Sequence, residues 1–354
     1  MDKLLRYDYI SLHAIHSLVE KIDDYNDNWQ RRERLDAEQL RTLKKLAAVA
    51  SIGSSTRIEG SKLSDEEVAR LIEKMDVTKL VSRDEQEVAG YYRVLDIIQE
   101  QYADLPLSES LIKGLHNELM RFSTKDEHHR GSYKQHSNQV VATDALGNTK
   151  VIFNTTDAFM TPEAMRRVVE WYHASLAESK LHKLEVIITF IYEFLSIHPF
   201  QDGNGRLSRL LTDLLLLQNG YEFVLYHSFE RGIEDEKKAY YKALMLGQRN
   251  RGKETEEIGR FMHFMLKTLY TTTGNLDKDE TTVLEKPEAL YLTRRLRDVL
   301  SFVDDEGELS VAEIDALLPT VSRSTVKNDL AKLTEAGYLQ RHGKGRGTVY
   351  TRNG

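Results

Sequence analysis

His198-Pro-Phe-Gln-Asp-Gly-Asn-Gly-Arg-Leu-Ser-Arg209 stands between two strongly apolar runs. Leu184, Val186, Ile187, Ile188, Phe190, Ile191, Phe194 and Leu195 precede it, and Leu207, Leu210, Leu211 and Leu214 to Leu217 follow. Both runs are apolar on nearly every face of a helix, so they predict two central helices over about 184–197 and 206–217. The segment between them holds a His, an Asp, an Asn and two Gly, which would be costly to bury without a purpose. A mainly α fold organised around this turn is expected.

Each part of the turn has a chemical use. Gly203, Asn204 and Gly205 precede a helix, and glycines let successive N–H groups aim at one anion. The helix N-terminus adds partial positive charge. Arg206 and Arg209 sit three apart on that helix, and guanidinium forks match phosphate oxygens. Asp202 is a hard oxygen ligand of the kind Mg²⁺ takes beside phosphates. His198 is suited to general-base work near neutral pH. Taken singly, Gly-Asn-Gly is most often a turn, paired Arg a solvated face, and a lone His a structural residue. Their coincidence in twelve residues favours a polyphosphate–Mg²⁺ site with a base beside it. The chain has no Gly-x-x-x-x-Gly-Lys-Ser/Thr, so the site is not a P-loop.

These twelve residues resemble the Fic-family signature, His-Pro-Phe-x-Asp/Glu-Gly-Asn-Gly-Arg-x-x-Arg, at every defined position. The resemblance extends more loosely over about residues 1–270. It implies a protein adenylyltransferase that moves AMP from ATP onto a Ser, Thr or Tyr hydroxyl of target proteins, itself included. His198 would take the hydroxyl proton and Asp202 would hold Mg²⁺. Gly203, Asn204 and Gly205 would form the anion hole, and Arg206 and Arg209 would bind the β- and γ-phosphates. Tyr240-Tyr241 resembles a Tyr pair near the nucleotide base, with helix packing as the alternative.

Upstream, Ser55-Thr-Arg-Ile-Glu59-Gly60 resembles the family's inhibitory pattern, Ser/Thr-x-x-x-Glu-Gly/Asn. A carboxylate there would pair with Arg209 and occupy the fork meant for the γ-phosphate. In some members the same Glu orients a water for AMP removal, and the resemblance allows Glu59 to serve both directions. Asn138–Ala142 and Thr149–Phe153 read as strands around the turn-rich 143–148, a hairpin that resembles the flap holding a target peptide by strand addition. His128-His129 reads as an exposed polar loop rather than a metal site. Ser64–Glu67 is a capping box, Pro106 a break before a helix over 107–120, and Thr161-Pro162 an N-cap with Pro following.

Farther out, 272–286 is Thr-rich and then charged, as a linker would be. The division expected is an N-terminal helical region 1–104, a catalytic core 105–271, that linker, and a small domain 287–354. In the last, Ser310–Glu313 caps one helix, 322–337 forms a second, and 338–341 and 347–351 flank a basic turn. Residues 321–354 carry seven Lys or Arg against two Asp or Glu, while the whole chain has a net charge of −7. Helix plus basic hairpin resembles a winged helix, which would bind DNA or, on the same fold, protein. An alternative function follows: a DNA-binding regulator whose Fic domain senses nucleotide. A transferase using another nucleotide donor is a third.

The chain has 354 residues, 40% apolar and 30% charged, and no cysteine, which excludes disulfides, thiolate nucleophiles and cysteine metal sites. The N-terminus has charges and no apolar h-region, and no run is long enough to span a bilayer. A cytoplasmic protein without membrane contact is expected, and the resemblance allows a homodimer.

Overall fold

The computed structural model describes residues 9–29, 37–75, 77–123, 127–143, 149–285, 294–319, 321–335, 338–343 and 348–353. The chain divides into two compact units, Met1–Pro287 and Glu288–Gly354. The expected 1–104 and 105–271 regions therefore lie in one unit.

In the first unit the chain runs through α1 (Tyr9–Trp29), α2 (Ala37–Ile58), α3 (Asp65–Glu73), α4 (Arg83–Gln101) and α5 (Glu109–Leu119). Strands β1 (Gln139–Thr143) and β2 (Thr149–Asn154) follow, then α6 (Thr161–Glu178), α7 (Lys183–Ile197), α8 (Asn204–Gln218), α9 (Phe229–Asp235), α10 (Lys237–Gln248) and α11 (Gly259–Glu285). Polar caps set many of these starts. Ser64 and Ser82 each form a full capping box, with Glu67 and Glu85, and Ser108 accepts the Leu111 N–H. Thr161 does not cap α6. Met160 holds that position, and the Thr161 hydroxyl instead donates to the Asp157 carbonyl at 2.9 Å.

α7 and α8 form the centre, as their composition predicts. Every residue of α7 from Leu184 to Ile197 is buried. In α8 the buried set runs unbroken from Arg206 to Leu217 and includes both arginines. α6 packs on α7, α4 and α2 pack on α8, and α11 packs on α7 and α10. α4 and α5 approach closely at Gly90, where a Cβ would fall 2.0 Å from the Leu119 carbonyl oxygen. β1 and β2 pair antiparallel, Gln139 opposite Asn154 and Thr143 opposite Thr149, with an irregularity between Val140 and Val141. The hairpin tip, 144–148, lies outside the described residues.

Of residues 272–286, read as a linker, 272–285 continue α11 as helix to Glu285, and 286 lies outside the described residues. The β-branched Thr residues there are tolerated because Thr272 and Thr273 are buried and bond to carbonyls one turn back.

The second unit contains α12 (Arg294–Glu306), β3 (Glu308–Ser310), α13 (Val311–Leu317), α14 (Arg323–Glu335), β4 (Leu339–His342) and β5 (Val349–Arg352). Its sheet has the order β3-β5-β4, all antiparallel. Leu296, Val299, Leu300 and Val303 of α12 meet Ile314, Val326, Leu330 and Leu333 in its core. α12 and β3 went unread in the sequence. The expected β4–β5 wing and the Ser310–Glu313 capping box are present.

Candidate active site

The α7–α8 turn is built from its own side chains. His198 caps the C-terminus of α7 and adopts φ 54, the left-handed region that a non-glycine residue enters only under constraint. Its N–H still donates to the Phe194 carbonyl at 2.9 Å. Asn204 closes the turn: its side chain accepts the Phe200 N–H at 2.9 Å and donates to the Phe200 carbonyl at 2.8 Å. The Asn204 amide group is thus engaged in holding the loop, and any part it takes in an anion hole falls to its backbone. Phe200 is buried and stacks on His116 of α5, ring centroids 3.7 Å apart.

Gly203, at φ 78, occupies the N-cap of α8 and provides no side-chain cap. The first-turn N–H groups of α8 therefore face outward without that usual acceptor, an arrangement that suits an anion. The Gly203 N–H itself donates to Asp202 Oδ1 at 2.6 Å.

His198 is half-buried, and Nδ1 faces the Leu195 carbonyl at 3.4 Å. A proton held on Nδ1 leaves Nε2 as the basic nitrogen. Burial first, then the Lys134 charge, push the ring down to about 4, against opposing pulls from Glu59 and Asp202. The imidazole is therefore neutral, the form a proton acceptor needs.

Arg206 and Arg209 are both about 2% exposed. Arg206 lies 3.6 Å from Glu87 of α4 and 3.5 Å from Asp202, while its Nε is buried without a partner. An orphaned guanidinium N–H beside an uncapped helix start fits a phosphate oxygen. Arg209 is fully engaged on the side of α2: Nε donates to Ser55 Oγ at 2.7 Å, and Nη2 donates to the Ser55 carbonyl at 3.0 Å and to Glu59 Oε1 at 2.8 Å. Burial alone would raise the Glu59 carboxyl, but Arg209 overrides it and holds Glu59 below the usual carboxylate range. The same carboxylate lies over the start of α8. A Cβ on Gly205 would sit 2.2 Å from Glu59 Oε1, so only glycine fits there while Glu59 is in place.

Asp202 keeps 40% of its side-chain surface open at the mouth of the turn. Among the described residues no group of three or more His, Asp or Glu is arranged to hold a metal. A magnesium ion held by Asp202 would keep water and phosphate oxygens around it. His128 and His129 belong to no such group either.

Tyr240 is buried and packs against Tyr241, Phe261 and Phe264. Both tyrosines feel the charges of Arg209 and Glu59, which puts the pair beside the site as well as in the core.

Four contributors were not legible in the motif. His116 accepts the Gly131 N–H on Nδ1 at 3.0 Å and reaches the Asp202 carbonyl from Nε2 at 3.1 Å. Glu87 offsets the Arg206 charge. Lys134 is buried beneath the turn. Arg57, inside the Ser55–Gly60 segment, pins the end of α2 through bidentate bonds to Glu234 at 2.7 and 2.9 Å and a pair with Asp65 at 3.0 Å. Gly60 at φ 108 then stops the helix one residue past Glu59.

In the second unit, Arg323, Lys327, Asn328 and Lys332 lie exposed on α14, and Arg341 lies exposed on β4.

Fold and site together define a helical domain whose central turn is suited to an anion, and a separate small unit of helices and a three-stranded sheet. The chain belongs to the Fic/DOC family. The profile of that family matches residues 106–216, and a DeoR-like helix-turn-helix domain matches residues 295–349. A Fido domain-containing protein of Dictyostelium discoideum is 30% identical over 125 residues, covering 34% of this chain and 83% of that one. A probable protein adenylyltransferase of Aquifex aeolicus is 29% identical over 105 residues, but the match spans 29% of this chain and 32% of that protein. The crystal structure of a Fic family protein from Desulfovibrio desulfuricans G20 shares the fold, with TM-score 0.61 at 23% identity, over 99% of this chain and 98% of that one. Among the described residues no helix is long and apolar enough to cross a membrane.

Proposed function

We propose that the chain is a cytoplasmic protein adenylyltransferase that transfers AMP from ATP to a Ser, Thr or Tyr hydroxyl of target proteins, itself included. What carries the reading is the convergence of neutral His198, the uncapped α8 N-terminus and the orphaned Arg206 Nε on one turn. The hydroxyl oxygen attacks the α-phosphorus, His198 Nε2 takes its proton, and the bond to the β-phosphate oxygen breaks to release pyrophosphate. Positioning and charge neutralisation supply most of the acceleration in such transfers. The α8 N–H groups at Asn204 and Gly205, with Arg206, receive phosphate oxygens. Tyr240 and Tyr241 flank the nucleotide, and β1–β2 holds the target strand. Asp202 would ligate Mg²⁺, which when bound offsets phosphate charge.

Glu59 is the brake. Its 2.8 Å contact with Arg209 occupies the guanidinium fork that a γ-phosphate would otherwise take. Removing it frees Arg209, whose three bonds to Ser55 and Glu59 would then fall to two. Initial rates of AMP incorporation from ATP labelled on the α-phosphate should rise by about tenfold or more in Glu59→Gly, the size expected when one charge-assisted bond blocking the productive pose is lost. Equal rates in wild type and variant would remove the brake from the account. The same carboxylate would orient a water for AMP removal.

A second reading rests on the DeoR-like match and the exposed basic face of α14: the C-terminal unit binds duplex DNA and links nucleotide state to regulation. A homodimer is compatible with both readings.

A further inference from the structure

The two feet of the hairpin are bolted to the carbonyls that flank His198, and one buried lysine makes the joint. Lys134 is 4% exposed. Its ammonium donates to three acceptors: Asn138 Oδ1 at 3.0 Å, Thr155 Oγ1 at 2.8 Å and the Ile197 carbonyl at 3.0 Å. That uses all three of its N–H bonds. Asn138 is the residue before β1 and Thr155 the residue after β2. Ile197 is the last residue of α7, immediately before His198. The backbone reinforces the joint. The Lys134 N–H donates to the Pro199 carbonyl at 2.8 Å, and Asn138 Nδ2 donates to the Phe200 carbonyl at 3.0 Å. Thr155 Oγ1 in turn donates to the Asn138 carbonyl at 2.8 Å, closing the base of the hairpin.

Carbonyls at a helix C-terminus lack intrahelical partners and carry partial negative charge, so a cation is favoured there. An arginine fork or a water could also serve the α7 end. Neither would grip both hairpin feet through one atom. Burying an ammonium is costly unless every donor is used, and here every donor is used on this joint. Burial still pushes Lys134 down to about 8, which marks how far it lies from water.

We infer that Lys134 is a positioning residue that fixes the height and register of the β1–β2 hairpin over His198, so that a hydroxyl on a strand held by the hairpin arrives at the base. The inference rests on the proposed AMP transfer and on target docking along the hairpin. It assigns Lys134 no contact with nucleotide, because its three donors are taken. Loss of the joint should therefore harm transfer to a protein hydroxyl while sparing transfer to water, which needs no hairpin.

The test uses full-length Glu59→Gly as parent, with ATP labelled on the α-phosphate and Mg²⁺. Two quantities are read: label on the chain itself and on proteins of an added cell lysate, and free AMP released by hydrolysis. Lys134→Met keeps the stem and removes the donors. Thr155→Val keeps the shape, removes one acceptor, and serves if the first variant does not fold. Protein labelling should fall about 10- to 100-fold in Lys134→Met, the penalty of misplacing a reacting group by about an ångström. The KM for ATP should stay within about twofold, and AMP release should fall far less than labelling, because water needs no hairpin although His198 loses the Lys134 charge. Thr155→Val should shift the ratio of labelling to hydrolysis in the same direction. Parallel loss of labelling and hydrolysis, or no change in their ratio in either variant, would overturn the role. A parent that carries no label at all would sink the transferase reading, and this inference with it.

Discussion

His116 shows how much of the site depends on single side chains outside the motif. Its Nδ1 accepts the Gly131 N–H, so the ring proton must sit on Nε2, where it donates to the Asp202 carbonyl. A second proton would point at the Gly131 donor. Burial pushes the ring down to about 4, whereas the unfolded value is about 6.5. The folded value is the lower one. Between those two pH values the unfolded chain therefore binds a proton that the folded chain refuses. This contribution to stability is full above pH 6.5 and is lost as pH falls toward 4, with a limit of roughly 3 kcal/mol. Urea midpoints at pH 7 and pH 5 should differ less in His116→Gln than in wild type, and identical pH slopes would refute the assignment. His198, Asp202 and the two arginines were legible because one short segment carries them all. His116 and Lys134 were not, since they are joined to that segment only by folding. Asn204 was legible as a site residue, yet its amide group folds back onto Phe200, a use that residue type alone does not reveal.

At the scale of elements, close approach decides what the sequence shows. α7 and α8 were readable as central because they are apolar all round, and the hairpin because its short strands flank turn formers. α12 and the three-residue β3 give weaker signals: one is a helix with a charged outer face, the other too short to alternate. The Thr-rich end of α11 has the composition of a linker, and tertiary packing keeps it helical. α4 and α5 meet backbone to backbone at Gly90, and neither partner can yield as a flexible side chain would. Gly90→Ala should cost about 1–3 kcal/mol through overpacking, despite the better helix propensity of Ala. Chemical denaturation tests this directly. A stabilised variant would show that α4 can shift away from α5 freely.

The whole molecule joins a Fic/DOC domain to a helix-turn-helix unit whose last stretch, 321–354, carries seven Lys or Arg against two Asp or Glu. If α14 enters a major groove, duplex affinity must fall steeply with salt, as counterions are released for each phosphate met. Replacing Arg323 and Lys327 by Ala should each reduce the slope of log K against log salt by about 1, and removing 288–354 should abolish binding. Affinity that survives the deletion would move any DNA contact to the first unit. In the proposed function, the turn of that first unit transfers the α-phosphoryl group with its adenosine, through His198. The most direct measurement compares Glu59→Gly with Glu59→Gly/His198→Ala, each given ATP labelled either on the α- or on the γ-phosphate. The α-label should stay on protein in the first variant and disappear in the second, while γ-label is never retained. Retained γ-label, or α-label that persists without His198, would contradict the proposed function.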